Sequence, residues 1–165
     1  MTEQLQCQQV YFKRVWAMPH HRTFTIKPIA ELREKELTFK NHIEPFPFNA
    51  QMDCFEYLSH FENESVDEVE TDPPYSKRQV SEWYKQNNIT VTGWHTSSGW
   101  ISKLKNEVTR VLKPGGKTIT YGWNSSGMGK SRGFELLGGI IVCHGGEHND
   151  TICTVETKIQ ERLTQ

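Results

Sequence analysis

Ser65-Val66-Asp67-Glu68-Val69-Glu70-Thr71-Asp72-Pro73-Pro74-Tyr75 is the stretch on which the fold turns. Val66 and Val69 stand among acids, and the run ends abruptly at two prolines, so the spacing predicts a short strand over 65–71 that delivers a loop from its carboxyl end. Prolines directly after a strand hold the backbone extended and remove two N–H donors, which leaves the carbonyls there open to a group outside the sheet. Asp72 adds a carboxylate beside them, and Tyr75 adds a flat aromatic face. That set suits a planar, donor-rich group such as the exocyclic amine of a nucleobase; a plain Pro-Pro turn capped by Asp72 is the competing reading. Glu68 and Glu70 share one face of this strand, where a buried parallel strand is ordinarily apolar. Unless that face is solvated, burying both acids is costly.

Upstream, Pro28 to Leu37 reads as a helix with proline in its first turn and Ile29, Leu32 and Leu37 on one side. His42 to Phe48 is extended but carries two prolines, which excludes an ordinary central strand. Ala50 to Phe61 reads as helical, with Met52, Phe55, Leu58 and Phe61 at three-residue spacing. Downstream, a short helix is expected over Ser76 to Gln86. A longer one is expected over Trp100 to Leu112, stopped by Pro114-Gly115-Gly116. Lys117 to Trp123, Ile140 to Cys143 and Thr151 to Val155 read as strands, the last two joined by the turn-rich Gly145-to-Asp150 segment. The order predicts an α/β sheet of mostly parallel strands that ends in an antiparallel hairpin.

At 165 residues one domain over 1–165 is expected, with 1–24 as an N-terminal extension. An aromatic content of 11% argues against a disordered chain. Nineteen basic against 20 acidic residues give a net charge of −1, so nucleic-acid binding must come from local patches rather than bulk basicity. The longest apolar run, Leu136 to Cys143, is eight residues, far below the ~20 of a membrane helix. The polar start MTEQLQCQQ lacks the apolar core of a secretory signal, and Cys7, Cys54, Cys143 and Cys153 form no CxxC pair. Both features lead to the expectation of a cytoplasmic protein with reduced thiols.

The whole stretch TDPPYSKRQVSEWY, together with LKPGG, YGWNSSGMGKSRGFE and CHGGEHNDTICTVE, resembles the S-adenosyl-L-methionine-dependent amino-methyltransferases of DNA, in particular the short adenine-N6 type of phage and bacteria. RVWAMPHHRTFTIKPI resembles the segment that opens such proteins, so the likeness covers about residues 14 to 158. It implies a Rossmann-like sheet, with cofactor and target adenine meeting at its carboxyl edge in a bacterial or phage-infected cell. It also implies that Asp72 and the Pro73 carbonyl hold the amine, within the loop Asp72-Pro73-Pro74-Tyr75, and that Tyr75 stacks on a flipped base. Two acceptors on the amine hydrogens favour a pyramidal nitrogen whose lone pair points at the methyl donor. No metal is implied.

On the cofactor side the resemblance implies Thr25, Lys27, Glu44, Phe46, Asn49 and Asp53. The match there is incomplete. Glu44-Pro45-Phe46 stands for the family's Asp-Pro-Phe, and Pro47-Phe48-Asn49 occupies the place of small residues and glycines. Only six residues separate Phe46 from the adenine-side acid Asp53, whereas a parallel crossover takes a dozen or more. A strand-helix unit bearing the ribose acid is therefore expected to be missing, leaving an open pocket around Glu44, Phe46 and Asp53.

Lys77 and Arg78, with Lys130 and Arg132, form two small basic clusters expected to flank the active edge as phosphate contacts. Asn124 to Ser131 nearly spells a phosphate-binding loop but begins with Asn rather than Gly. Cys143, His144, His148 and Cys153 fit no standard zinc spacing and read as hairpin residues. Trp94, Trp100 and Trp123 read as packing residues. Nothing between Tyr75 and Pro114 is long enough for a separate target-recognition domain. Two other readings stay open: a relative that lost its cofactor pocket and survives as a binding protein, and an RNA guanine-N2 methyltransferase sharing only the Asp-Pro-Pro-Tyr loop.

Overall fold

Strands and helices alternate along the chain, and the strands assemble into one six-stranded sheet. The computed structural model describes residues 12–18, 23–45, 53–74, 76–86, 88, 90–123, 127–146 and 148–159. The elements are β1 (Phe12–Trp16), α1 (Lys27–Glu36), β2 (His42–Ile43), α2 (Cys54–Ser59), β3 (Val66–Thr71), α3 (Lys77–Gln86), α4 (Ser98–Val111), β4 (Leu112–Gly122), β5 (Phe134–Cys143) and β6 (Thr151–Lys158). The sheet order is β1-β5-β6-β4-β3-β2. β1–β5, β2–β3 and β3–β4 are parallel, whereas β6 runs antiparallel to both its neighbours. This is the expected mixed α/β sheet with a closing hairpin.

Side-chain alternation sends the two faces of the sheet to two separate cores. Ile29 and Leu32 of α1 pack with Ile119, Tyr121, Ile140, Val142, Cys153 and Val155. Leu58 of α2, Tyr84 of α3 and Trp100, Leu104 and Val108 of α4 pack with Val66 and Val69. Helix α4 shows why periodicity worked: Trp100, Leu104, Val108 and Val111, three or four residues apart, are all buried.

Several boundaries differ from the sequence expectation. Helix α4 stops before Pro114, because Leu112 is already extended (φ −76°, ψ 130°) and begins β4. Pro114, Gly115 and Gly116 instead lie where the β3–β4 register jumps from Val66↔Leu112 to Glu68↔Lys117. Helix α2 begins at Cys54, after its cap Asp53; positions 50–52 lie outside the described residues. Phe12–Trp16, inside the expected extension, is a strand paired with β5. β5 starts at Phe134, well before Ile140, and β6 runs on to Lys158.

The acidic face of β3 meets the costly alternative of burial. It is not solvated: Glu68 and Glu70 are 5% and 1% exposed. The chain compensates both by pairing them, as described below. Among the described residues the sheet ends at β2; positions 46–52, which follow it, lie outside the described residues.

Candidate active site

The carboxyl ends of β2, β3 and β4 lie side by side, since Ile43 pairs with Val69 and Thr71 with Thr120. Glu44 follows β2 there, and Asp72 follows β3. Asp72, Pro73 and Pro74 are half-buried, and Tyr75 lies outside the described residues. The Asp72 charge reaches Cys153 on β6, one strand beyond β4: burial first, then Asp72 and Glu70, pushes that thiol up.

Glu70, one turn of the pleat inside Asp72, anchors a dense polar cluster. Arg33 of α1 donates from Nε to both its oxygens at 2.8 Å. His42 Nε2 lies 3.1 Å from it, and the Tyr121 hydroxyl donates to Oε1. Arg33 also donates from Nη2 to Glu44 Oε1 at 2.8 Å, and its guanidinium carbon lies 4.5 Å from the centre of the Phe24 ring. Glu68 accepts from the Thr38 and Phe39 backbone N–H groups and from the Thr38 hydroxyl at 2.7–2.8 Å. Burial alone would raise the Glu70 carboxyl, but hydrogen bonds from His42, Arg33 and Tyr121 hold it below its usual range. Burial likewise opposes the charge on His42. Its hydrogen bonds to Glu44 and Glu70 win and raise it from 6.5 to about 9. His42, Glu44 and Glu70 bring ligand-type atoms within 4.8 Å of one another, but Arg33 already supplies a cation there.

The expected open pocket is therefore corrected at Glu44: Arg33 and His42 pack against it. Asp53 is engaged too. Its Oδ1 accepts the Phe55 N–H at 2.8 Å as the cap of α2, and Oδ2 accepts from the Tyr84 hydroxyl at 2.7 Å. That hydroxyl in turn accepts from Trp100 Nε1 at 3.1 Å, so Asp53 ties α2, α3 and α4 together. Lys27 begins α1 with its ammonium exposed, 3.9 Å from Glu31, and Thr25 ends the 3-10 turn Thr23–Thr25. Phe46 and Asn49 lie outside the described residues. The fit to S-adenosyl-L-methionine is partial: among the described residues Glu44 is hydrogen-bonded only through Oε1, which leaves Oε2 as an acceptor.

The two basic clusters are not brought together. Lys77 and Arg78 open α3 directly after the Asp72 loop, both exposed, with Arg78 paired to Glu82 at 2.7 Å. Lys130 and Arg132 lie beside α4 near the start of β5, at the sheet's other end. Arg132 there donates to Asn106, Ser102 and the Met128 carbonyl. Chain direction explains the separation: β5 runs parallel to β4, so the segment between them must return to the opposite edge.

Sequence reasoning missed what the loop before β5 does. The Met128 and Gly129 N–H groups do hold an anion, but it is the buried Glu156 carboxylate of the chain itself. A Cβ at Gly127 would lie 2.0 Å from Glu156 Oε2, so any side chain there forces that carboxylate out of its place. His144 is structural as well, held at 2.9 Å by the Ala17 carbonyl and by the Thr151 hydroxyl. Trp100 is in the core, as expected, whereas Trp94 and Trp123 are 46% and 41% exposed.

No protein-family model and no curated protein matches the chain. Among solved structures it is similar to TTHA0409 of Thermus thermophilus, a "Putative DNA Modification Methylase", in two crystal structures. Identity is 19% and 20%, TM-score 0.41 and 0.40, over 67% of this chain and 52% and 53% of that one. A third, PH0851, is 12% identical with a TM-score of 0.38, over 88% of this chain and 36% of that one. The chain spans about half the length of the TTHA0409 chains it matches.

Proposed function

We propose that this chain binds an adenine of DNA at Asp72-Pro73-Pro74-Tyr75 and transfers a methyl group from S-adenosyl-L-methionine to its N6 amine. One observation carries the reading: Asp72 stands half-buried at the carboxyl end of β3, with two prolines after it that contribute no N–H. In this role the Asp72 carboxylate and the Pro73 carbonyl accept the two amine hydrogens and draw the lone pair out of conjugation. Tyr75 offers its ring to the flipped base, whose removal from the stack costs a few kcal/mol. When bound, S-adenosyl-L-methionine supplies the methyl group. Glu44 Oε2 is the acceptor available to hold that cofactor.

A second reading is favoured by the commitments of Glu44 and Asp53 inside the protein: binding of nucleic acid without transfer. Transfer of labelled methyl from S-adenosyl-L-methionine separates the readings, with unmethylated DNA and ribosomal RNA as parallel substrates. The proposal expects label in DNA adenine, abolished by Asp72→Ala in a protein that stays folded. Most of the activity surviving in Asp72→Ala would defeat it. Label in RNA guanine alone would move the chain to the guanine-N2 class.

A further inference from the structure

Beside the Asp72 loop lies a separate cleft of about 220 Å³. Pro74 of the loop, Lys77 and Val80 of α3, His95, and Trp100 and Ile101 of α4 border it. The volume is below the ~300–1,000 Å³ of pockets for drug-sized ligands, and so suits a single ring system. Half-buried Pro74 and Ile101 offer it apolar surface, with the buried Val80 and Trp100 behind them, and a flat heterocycle packs against such a wall.

His95 gives the cleft a directional group. Its Nδ1 accepts the Thr92 backbone N–H at 3.0 Å, and a backbone N–H can only donate. The neutral ring must therefore carry its hydrogen on Nε2, a tautomer assigned from that bond. The ring is also fixed in place, its centroid 4.2 Å from that of Tyr84. Among the described residues no group accepts from Nε2–H, and Lys77 makes no ion pair. A cleft with an apolar wall, a rim of Ser and Thr residues, one fixed ring donor and one cation matches a nucleotide: base face, base acceptor and phosphate.

We propose that this cleft holds a second nucleobase, that of a nucleotide flanking the one at Asp72. Nε2–H of His95 donates to an acceptor on the base edge, and Lys77 meets the phosphate. The inference rests on the nucleic-acid reading above and deepens it by giving selectivity a physical seat.

The test is side-chain and amide NMR of the full chain, titrated separately with 2′-deoxyadenosine 5′-monophosphate, 2′-deoxyadenosine and deoxyribose 5-phosphate. His95 and Ile101 signals should move with the nucleotide and the nucleoside and stay put with the sugar phosphate. Ile101→Trp, which fills the cleft, should weaken nucleotide binding at least tenfold. His95→Phe, which keeps the ring against Tyr84 but removes the donor, should weaken it about two- to tenfold. No response to the base-bearing ligands, a response to sugar phosphate alone, or undiminished affinity in Ile101→Trp would overturn the proposal. Signals that stop moving in Asp72→Ala would overturn it too, because the base would then sit at Asp72. A wild-type protein that shows the shifts yet transfers no methyl group upholds the cleft while the catalytic reading falls.

Discussion

The carboxylates at the carboxyl edge of this sheet divide into two groups. On the β2 side, Glu44 and Asp53 are bound to Arg33, His42, Tyr84 and the cap of α2. At the end of β3, Asp72 is half-buried in an extended loop whose prolines cannot enter a ladder. Glu70, two residues before Asp72, belongs with the first group, held by Arg33, His42 and Tyr121. The difference teaches how acids at a sheet edge are accommodated. Where the described sheet ends at β2, acids at its margin serve the fold, whereas Asp72 lies past the last ladder pair of β3, in the loop that leads to α3.

The largest effect expected from this division is on stability. Arg33→Met leaves the Glu70 carboxylate buried without its main cation, and removing one partner of a buried pair costs about 3–5 kcal/mol. Asp72→Asn should cost far less in the same denaturant titration; equal losses would erase the distinction. Next is the internal anion. Gly127→Ala drives a methyl group into Glu156 and should cost about 1–3 kcal/mol, read as a lower unfolding midpoint. An unchanged midpoint would mean that the loop is not seated on Glu156.

The pH dependence follows from His42. Its folded value, about 9, lies above the ordinary 6.5, so the protonated ring stabilises the fold. That contribution is fully present below pH 6.5 and is lost as pH rises through about 9. Glu70 is shifted the other way, so its contribution is lost as pH falls through the acid range. Unfolding measured from about pH 6 to 10 should show declining stability, and His42→Gln should flatten the alkaline decline. A decline of the same size in that variant would assign it to another group. The smallest effect concerns nucleic-acid binding. Each real phosphate contact contributes about 0.9 to the slope of log affinity against log salt on duplex DNA. Lys77→Ala and Arg78→Ala should each lower the slope by about that amount, and Lys130→Ala and Arg132→Ala should leave it unchanged. A drop in the second pair instead would place the nucleic acid at the other end of the sheet.

Legibility in the sequence followed burial and locality. Helix α4 and strand β3 were readable because their periodicities are carried by neighbouring residues. β1 was not: Lys13 and Arg14 interrupt Phe12–Trp16, and its pairing with β5 joins residues more than a hundred positions apart. Gly138 and Gly139, just before the expected strand start at Ile140, lie inside β5, at a register shift between Leu136 and Gly138. A Cβ at Gly139 would lie 2.0 Å from the Cys153 carbonyl oxygen, so close backbone approach explains that glycine. Glu68 and Glu70 were legible as a problem, not as its solution, because Arg33 lies 37 residues from Glu70. The Asp-Pro-Pro loop was legible because its chemistry is contiguous. The His95 cleft was not, since it gathers residues from the loop, α3 and α4.

The most direct measurement is a calorimetric titration of the isolated chain with S-adenosyl-L-methionine. Each charged hydrogen bond missing from the cofactor side is worth about 1.5–3 kcal/mol, and every 1.4 kcal/mol is tenfold in affinity. With Asp53 committed to α2 and Tyr84, and Glu44 keeping one open oxygen, the account predicts dissociation constants of roughly 100 μM or weaker, from the loss of one or two such bonds. Low-micromolar binding by the isolated chain would contradict it, and would mean that the acids of the β2 side serve the cofactor after all.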